Sequence, residues 1–210
     1  MIPYGKQSIF SKDIEAVVSV LESEYLTQGP QCILFEEDFC KQVSAGFAVS
    51  ANSATSSLHI ACLALDIGPD DIVWTSPISF VASSNCALYC GASIDFVDID
   101  SNTNNICIDT LREKLIVADA SGKLPKVLIP VHLAGHSCDM KEIHLLSLKY
   151  GFKIIEDASH ATGAKHLGSY VGCCQYSDIA VFSFHPVKII TAGEGGMAVT
   201  NNANYALKMG

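Results

Sequence analysis

Asp157, Ser183 and Lys188 are the residues whose types and setting best suit chemistry. The apolar run Lys153-Ile154-Ile155 leads into Glu156-Asp157, and Ile179-Ala180-Val181-Phe182 leads into Ser183, with Phe184-His185-Pro186-Val187-Lys188 following. Polar residues at the ends of apolar strands are where open α/β folds keep their chemistry. A carboxylate can hold a pyridinium nitrogen protonated, a lysine can form an imine, and a hydroxyl can bind a phosphate. One cofactor uses all three. Taken singly, each residue also has a plain structural reading: Asp157 caps a turn, and Lys188 is a solvated surface side chain.

The elements that must position these residues alternate along the chain. After an extended arm over residues 2–10, Ser11 is placed to cap a helix, with Asp13 and Glu15 in its first turn. Ile14, Val17, Val18 and Leu21 then follow the i, i+3, i+4, i+7 rule of an apolar face. Leu26-Thr27-Gln28-Gly29-Pro30 is a turn, and Pro30 starts a second helix with Cys32, Phe35, Phe39 and Val43 on one side. Strands are expected at 47–50, 72–75, 93–97, 127–131, 153–155, 179–182 and 197–200. Helices carrying Leu58, Ala61, Cys62 and Leu65, a segment through Tyr89, and a weaker one near Leu111, Leu115 and Val117 fall between them. Asp139 with Glu142 reads as a capped helix start, and Gly151 as its end. Asn202 opens a last helix. Strands alternating with helices define an α/β fold with a mostly parallel sheet and helices on both faces.

Composition agrees. Hydrophobic residues make up 49% of the 210 and mean hydropathy is +0.31, because strands covered on both faces are apolar throughout. No apolar run approaches the ~20 residues of a membrane helix, and the start of the chain lacks a signal-peptide pattern. A cytoplasmic protein that does not associate with membranes is expected. The net charge of −9 argues against a nucleic-acid partner. The nine cysteines and seven histidines form no CxxC pair and no ligand motif, so no metal site is expected. Arg112 is the only arginine, which leaves anionic groups to lysine and backbone N–H groups. The segment Asn52-Ser53-Ala54-Thr55-Ser56-Ser57 is suited to an anion. It lies between a strand and a helix start, where free N–H groups face an anion as readily as a side chain caps them.

EDASHATGA and SDIAVFSFHPVKIITAGEGGM, together with PVHLAGHSCDM and LTQGP, resemble the pyridoxal-phosphate (PLP) sugar aminotransferases of the DegT/DnrJ/EryC1/StrS family. The resemblance runs from Ile2 to Gly210. It implies the large domain of a fold-type I PLP enzyme, divided into an arm and helices over 1–45, a sheet core over 46–200 and a cut-off helix over 201–210. It also implies that a C-terminal small domain is absent, since family members are roughly twice as long. Lys188 matches the lysine that binds the cofactor and moves the proton, and Asp157 the partner of the pyridinium nitrogen. Ser183, Ala54, Thr55 and Ser56 match the phosphate site. Phe80 and Ala158 would sandwich the ring, and His160 stands beside the ring hydroxyl. Tyr4, Lys6 and Thr27 are the implied substrate contacts.

A branch of the family that replaces the lysine with histidine performs dehydration, so Lys188 implies transamination. IPYGKQSI, LTQGP and SFHPVK are most similar to the branch that aminates C4 of UDP-4-keto-6-deoxy-N-acetylhexosamines on the route to pseudaminic acid. L-Glutamate is the implied donor and a homodimer with a shared active site the implied assembly. Two alternatives stay open: another nucleotide-linked keto sugar such as a dTDP-linked 3-keto sugar, or a truncated chain that folds without turnover.

Overall fold

Runs such as Ile154-Ile155 and Ala180-Val181-Phe182 lack polar alternation because helices cover both faces of the sheet they form. The computed structural model describes residues 5–210. In chain order the helices are α1 (Ser11–Leu21), α2 (Pro30–Val43), α3 (Ala54–Ala64), α4 (Ala82–Tyr89), α5 (Ile108–Ser121), α6 (Met140–Tyr150) and α7 (Ala203–Met209). The strands are β1 (Phe47–Ala51), β2 (Ile72–Thr75), β3 (Ser93–Phe96), β4 (Val127–Ile129), β5 (Lys153–Asp157), β6 (Lys165–His166), β7 (Ser169–Tyr170), β8 (Ile179–Ser183) and β9 (Gly196–Thr200).

Seven strands form one sheet in the order β1-β9-β8-β5-β4-β2-β3, and β6 with β7 makes a separate hairpin. The run from β8 to β3 is parallel, while β9 lies antiparallel to both β8 and β1. On one face α3, α4 and α7 bring Leu58, Ala61, Cys86 and Met209 onto Val73, Ile155, Val181 and Ala198. On the other, α5 and α6 pack Leu111, Leu115 and Ile143 on Trp74, Leu128 and Ile154. There α2 also sets Phe39 and Val43 against Ala180, Phe182 and Val199.

Strand alternation decides which polar residues reach the site. Ile155 and Val181 belong to the α3/α4 face, so Asp157 and Ser183, two residues on, point the same way. Glu156 turns to the opposite face. There its carboxylate accepts from His132 Nε2 at 2.8 Å and from the Ser177 hydroxyl. The Cys138 backbone N–H donates to His132 Nδ1 at 3.1 Å, so the ring's proton sits on Nε2 and is given to Glu156. This buried network ties the β4–α6 connection to the end of β5.

Three local expectations change. Phe10, not Ser11, precedes α1, and the Asp13 carboxylate accepts the Phe10 N–H at 2.7 Å. The Ile14/Val17/Val18/Leu21 stripe is present but exposed, because no other described element packs on it. Val117 faces solvent, and Ala118 takes the buried position on α5 beside Leu115. At α6 the expected cap is seen: the Asp139 side chain accepts the Glu142 N–H at 3.3 Å. The Glu142 carboxylate pairs with Arg112 on α5.

The start of α3 meets the sheet at Gly196. That residue pairs with Ser183 on one side and Ala51 on the other. A Cβ there would lie 2.3 Å from the Ser53 carbonyl carbon and 2.5 Å from the Ala54 nitrogen. Backbone atoms cannot yield as a side chain does, so Gly196→Ala should cost at least the ~1–3 kcal/mol of core overpacking. Urea denaturation reads this as a lowered midpoint; an unchanged midpoint would contradict so close an approach.

Candidate active site

The carboxyl ends of β5 and β8, the first turn of α3 and the segment before α4 enclose a cavity of about 250 Å³. Ala54, Thr55, Phe80, Asp157, His160, Ser183 and Lys188 all line it. Residues from four separate stretches of sequence therefore converge on one space.

Asp157 is buried and held from both sides. The Ser83 hydroxyl donates to its Oδ2 at 2.6 Å and the Ser159 N–H to its Oδ1 at 3.2 Å. Its backbone is fixed too: Asp157 N–H donates to Pro130 O at 2.9 Å, and His132 N–H donates to Asp157 O at 3.1 Å.

Lys188 lies in a loop that closes on itself. Phe184 N–H donates to Gly195 O at 2.9 Å, Ala192 N–H to Phe184 O at 3.0 Å, and Lys188 N–H to His185 O at 2.9 Å. The Phe184 ring plugs the loop into the core, 5.5 Å from Phe39 and 5.1 Å from Phe35 between centroids. Burial holds the Lys188 amine below its ordinary pKa, and the Asp157 charge opposes that shift. More of it is neutral at a given pH than of a solvated lysine, as nucleophilic attack requires.

At the start of α3, Ser53 caps its own helix: its hydroxyl accepts the Ser56 N–H at 3.2 Å and its carbonyl the Ser57 N–H at 3.0 Å. No acceptor among the described residues reaches the N–H groups of Ala54 and Thr55. These two donors at the positive end of an 11-residue helix suit an anion. Ser183 completes the set. Its Oγ accepts the His185 N–H at 3.4 Å, leaving its own proton to give.

His160 Nδ1 accepts the Ala134 N–H at 3.3 Å, which places the ring proton on Nε2. Burial, with the Lys188 charge second, lowers the His160 pKa, favouring the neutral ring. Ala134 belongs to the 3-10 turn Leu133–Gly135, and Gly135 has φ +86°, with a Cβ there only 2.8 Å from the His160 carbonyl oxygen.

Not every expected residue reaches the cavity. Ala158 is fully buried behind it, among Phe39, Ala180 and Phe182. Ser159 lines the wall instead, because alternation carried past the end of β5 sends residue 158 away from the face that Asp157 uses. Ser56 is occupied with capping, its hydroxyl 2.6 Å from Asn52 Oδ1. Lys6 and Thr27 are exposed and away from the cavity wall, and Tyr4 lies outside the described residues. Arg112 is held by Asp109 at 2.8 Å and by Glu142, also away from the site. Ser83, Ser159 and Glu194 join the site without having been expected. Period-two counting would have found Ser159, and the Gly193-Glu194-Gly195 turn marked Glu194. Ser83 carries no local signal.

A cavity of this size and donor set suits a small anionic aldehyde: an amine depressed in pKa, a buried carboxylate, and N–H and hydroxyl donors without an arginine. The chain belongs to the DegT/DnrJ/EryC1/StrS aminotransferase family, whose pattern matches residues 7–210; the cofactor of this family is PLP. It is 40% identical over 209 residues to the UDP-4-amino-4,6-dideoxy-N-acetyl-beta-L-altrosamine transaminase of Campylobacter jejuni, covering 100% of this chain and 54% of that protein. Helicobacter pylori PseC, an aminotransferase involved in the biosynthesis of pseudoaminic acid, superposes with a TM-score of 0.88 at 34% identity, over 99% of this chain and 54% of that one. The aminotransferase from Psychrobacter cryohalolentis gives 0.86 at 34%, over 96% and 50%. The chain thus spans about half the length of the relatives it matches. No helix among the described residues is long and apolar enough to cross a membrane.

The amines differ in environment. Lys153 is raised in pKa, by its hydrogen bond to Asp178 first and despite some burial, whereas Lys188 is lowered. Incubation with PLP followed by borohydride should fix the cofactor's mass on the peptide containing Lys188. Mass on Lys153 or Lys165 instead would contradict the assignment.

Proposed function

We propose that this protein is a PLP-dependent aminotransferase that moves an amino group from L-glutamate to the C4 keto group of a UDP-4-keto-6-deoxy-N-acetylhexosamine, in pseudaminic acid or surface-glycan synthesis. The observation that carries the reading is the convergence of Asp157, Lys188, Ser183 and the start of α3 on one cavity. The sugar and its nucleotide rest on the 40% identity to the Campylobacter transaminase. A cytoplasmic homodimer with a shared active site is part of the proposal.

When bound, PLP supplies an electron sink that weakens the Cα–H bond of an attached amine. The protein's residues do the rest. Ala54 and Thr55 N–H and the Ser183 hydroxyl hold the phosphate. The Asp157 carboxylate stabilises the proton on the ring nitrogen. His160 gives its Nε2 proton to the ring oxygen. Phe80 and Ser159 line the walls that would flank the ring. Lys188 Nζ, its pKa lowered by burial, takes the α-proton and delivers it to the neighbouring carbon as general base and then acid.

Asp157→Ala should retain part of its PLP, because the phosphate and Lys188 contacts persist. Its half-reaction with glutamate should slow by at least about 10²–10³-fold, the loss typical of removing one electrostatic stabiliser. Stopped-flow absorbance measures this, and a near wild-type rate would make Asp157 structural. The acceptor is tested by offering UDP-linked 4-keto and dTDP-linked 3-keto sugars to the aminated protein. Faster consumption of the UDP sugar is expected; preference for the dTDP sugar would overturn the substrate choice.

A further inference from the structure

A proton shared between a ring nitrogen and a carboxylate sits on the more basic partner. A bare buried carboxylate is a strong competitor, since burial disfavours its charged form. If PLP binds as proposed above, something must keep the Asp157 carboxylate charged so that the proton stays on nitrogen. Two hydroxyls beside Asp157 are arranged to do so, Ser79 half-buried in the cavity wall and Ser83 buried behind it.

Ser83, in the first turn of α4, is 1% exposed. Its Oγ lies 2.6 Å from Asp157 Oδ2, 2.6 Å from Ser79 Oγ and 3.2 Å from the Phe80 carbonyl oxygen. A hydroxyl has one proton to donate. Asp157 Oδ2, at 2.6 Å, accepts it in preference to the longer carbonyl contact. Ser79 must then donate to Ser83 rather than accept from it. The chain Ser79 → Ser83 → Asp157 therefore runs in one direction, and each donation strengthens the next. Ser79 itself lines the cavity. The Ser159 N–H adds a second donor at Oδ1.

We infer that Ser83, oriented by Ser79, is a positioning residue that keeps Asp157 ionised and fixed in orientation, so that the proton resides on the cofactor's ring nitrogen. It touches neither substrate nor cofactor and acts through Asp157. The inference rests on the proposed function, because it needs PLP in this cavity.

The test reads the proton directly. The chain is loaded with PLP carrying ¹⁵N at the ring nitrogen, and its ¹⁵N shift is recorded against pH for the wild type, Ser83→Ala and Ser79→Ala. The wild type should show the protonated shift near neutral pH. Ser83→Ala should move markedly toward the unprotonated value and slow the glutamate half-reaction about tenfold, the lower end of typical outer-contact effects. Ser79→Ala leaves Ser83 in place and should move the shift the same way by less; it also serves if Ser83→Ala fails to fold. In an Asp157→Asn background, Ser83→Ala should add no further loss of rate. Identical ¹⁵N shifts in folded, PLP-loaded wild type and both variants would overturn the inference alone, as would fully additive rate losses. A wild type that binds no PLP would overturn the functional reading and this inference with it.

Discussion

The start of α3 reaches the strand ends only because residue 196 has no side chain. Gly196 lies directly opposite Ser183 across the β8–β9 pairing, and its bare Cα lets the Ser53–Ala54 peptide lie directly over it. The residues of the two free N–H groups and the hydroxyl therefore line one cavity. Everything else in the cavity is measured from that contact. The β5–β8 pairing sets Asp157 opposite Val181, two residues before Ser183, so the carboxylate and the anion donors are spaced by strand geometry rather than by loops.

Two further constraints fix the reactive amine. Phe184 anchors the loop that bears Lys188 in the aromatic cluster with Phe35 and Phe39. Backbone bonds from Phe184 to Gly195 and Ala192 close that loop at its base. The amine is half-buried, and burial alone lowers its pKa even with Asp157 in the same cavity. On the other side of the sheet, Glu156 accepts hydrogen bonds from His132 and Ser177. Adjacent carboxylates thus serve different ends: Glu156 secures the β5 terminus, and Asp157 faces the cavity. A strand is the element that separates neighbours in this way.

The parallel sheet and its two covered faces were legible in the sequence, because short apolar runs without alternation, spaced between helices, fit few architectures besides a sheet buried on both sides. Asp157 and Ser183 were legible as strand-end polar residues and Lys188 as the lysine in the segment that follows, and the three share a cavity. What was not legible depended on contacts distant in sequence or on direction. The resemblance implied Ala158 against the ring, whereas side-chain alternation carried past β5 brings Ser159 to the cavity wall. Ser83 looks like any small residue in a helix, and its meaning comes only from a carboxylate 74 positions away. The α1 stripe obeys helical periodicity, yet periodicity reports an apolar face and not whether anything covers it. Val117 failed for a related reason: one position of phase error on a weakly patterned helix exchanges a buried residue for an exposed one.

The central claim is that these strand ends and the start of α3 form a single PLP site. A crystal structure of the chain soaked with PLP tests it most directly. The claim predicts density continuous with Lys188 Nζ, phosphate oxygens within hydrogen-bond distance of the Ala54 and Thr55 N–H groups and Ser183 Oγ, and the ring nitrogen against the Asp157 carboxylate. PLP joined to another lysine, or a phosphate lying away from α3, would contradict it.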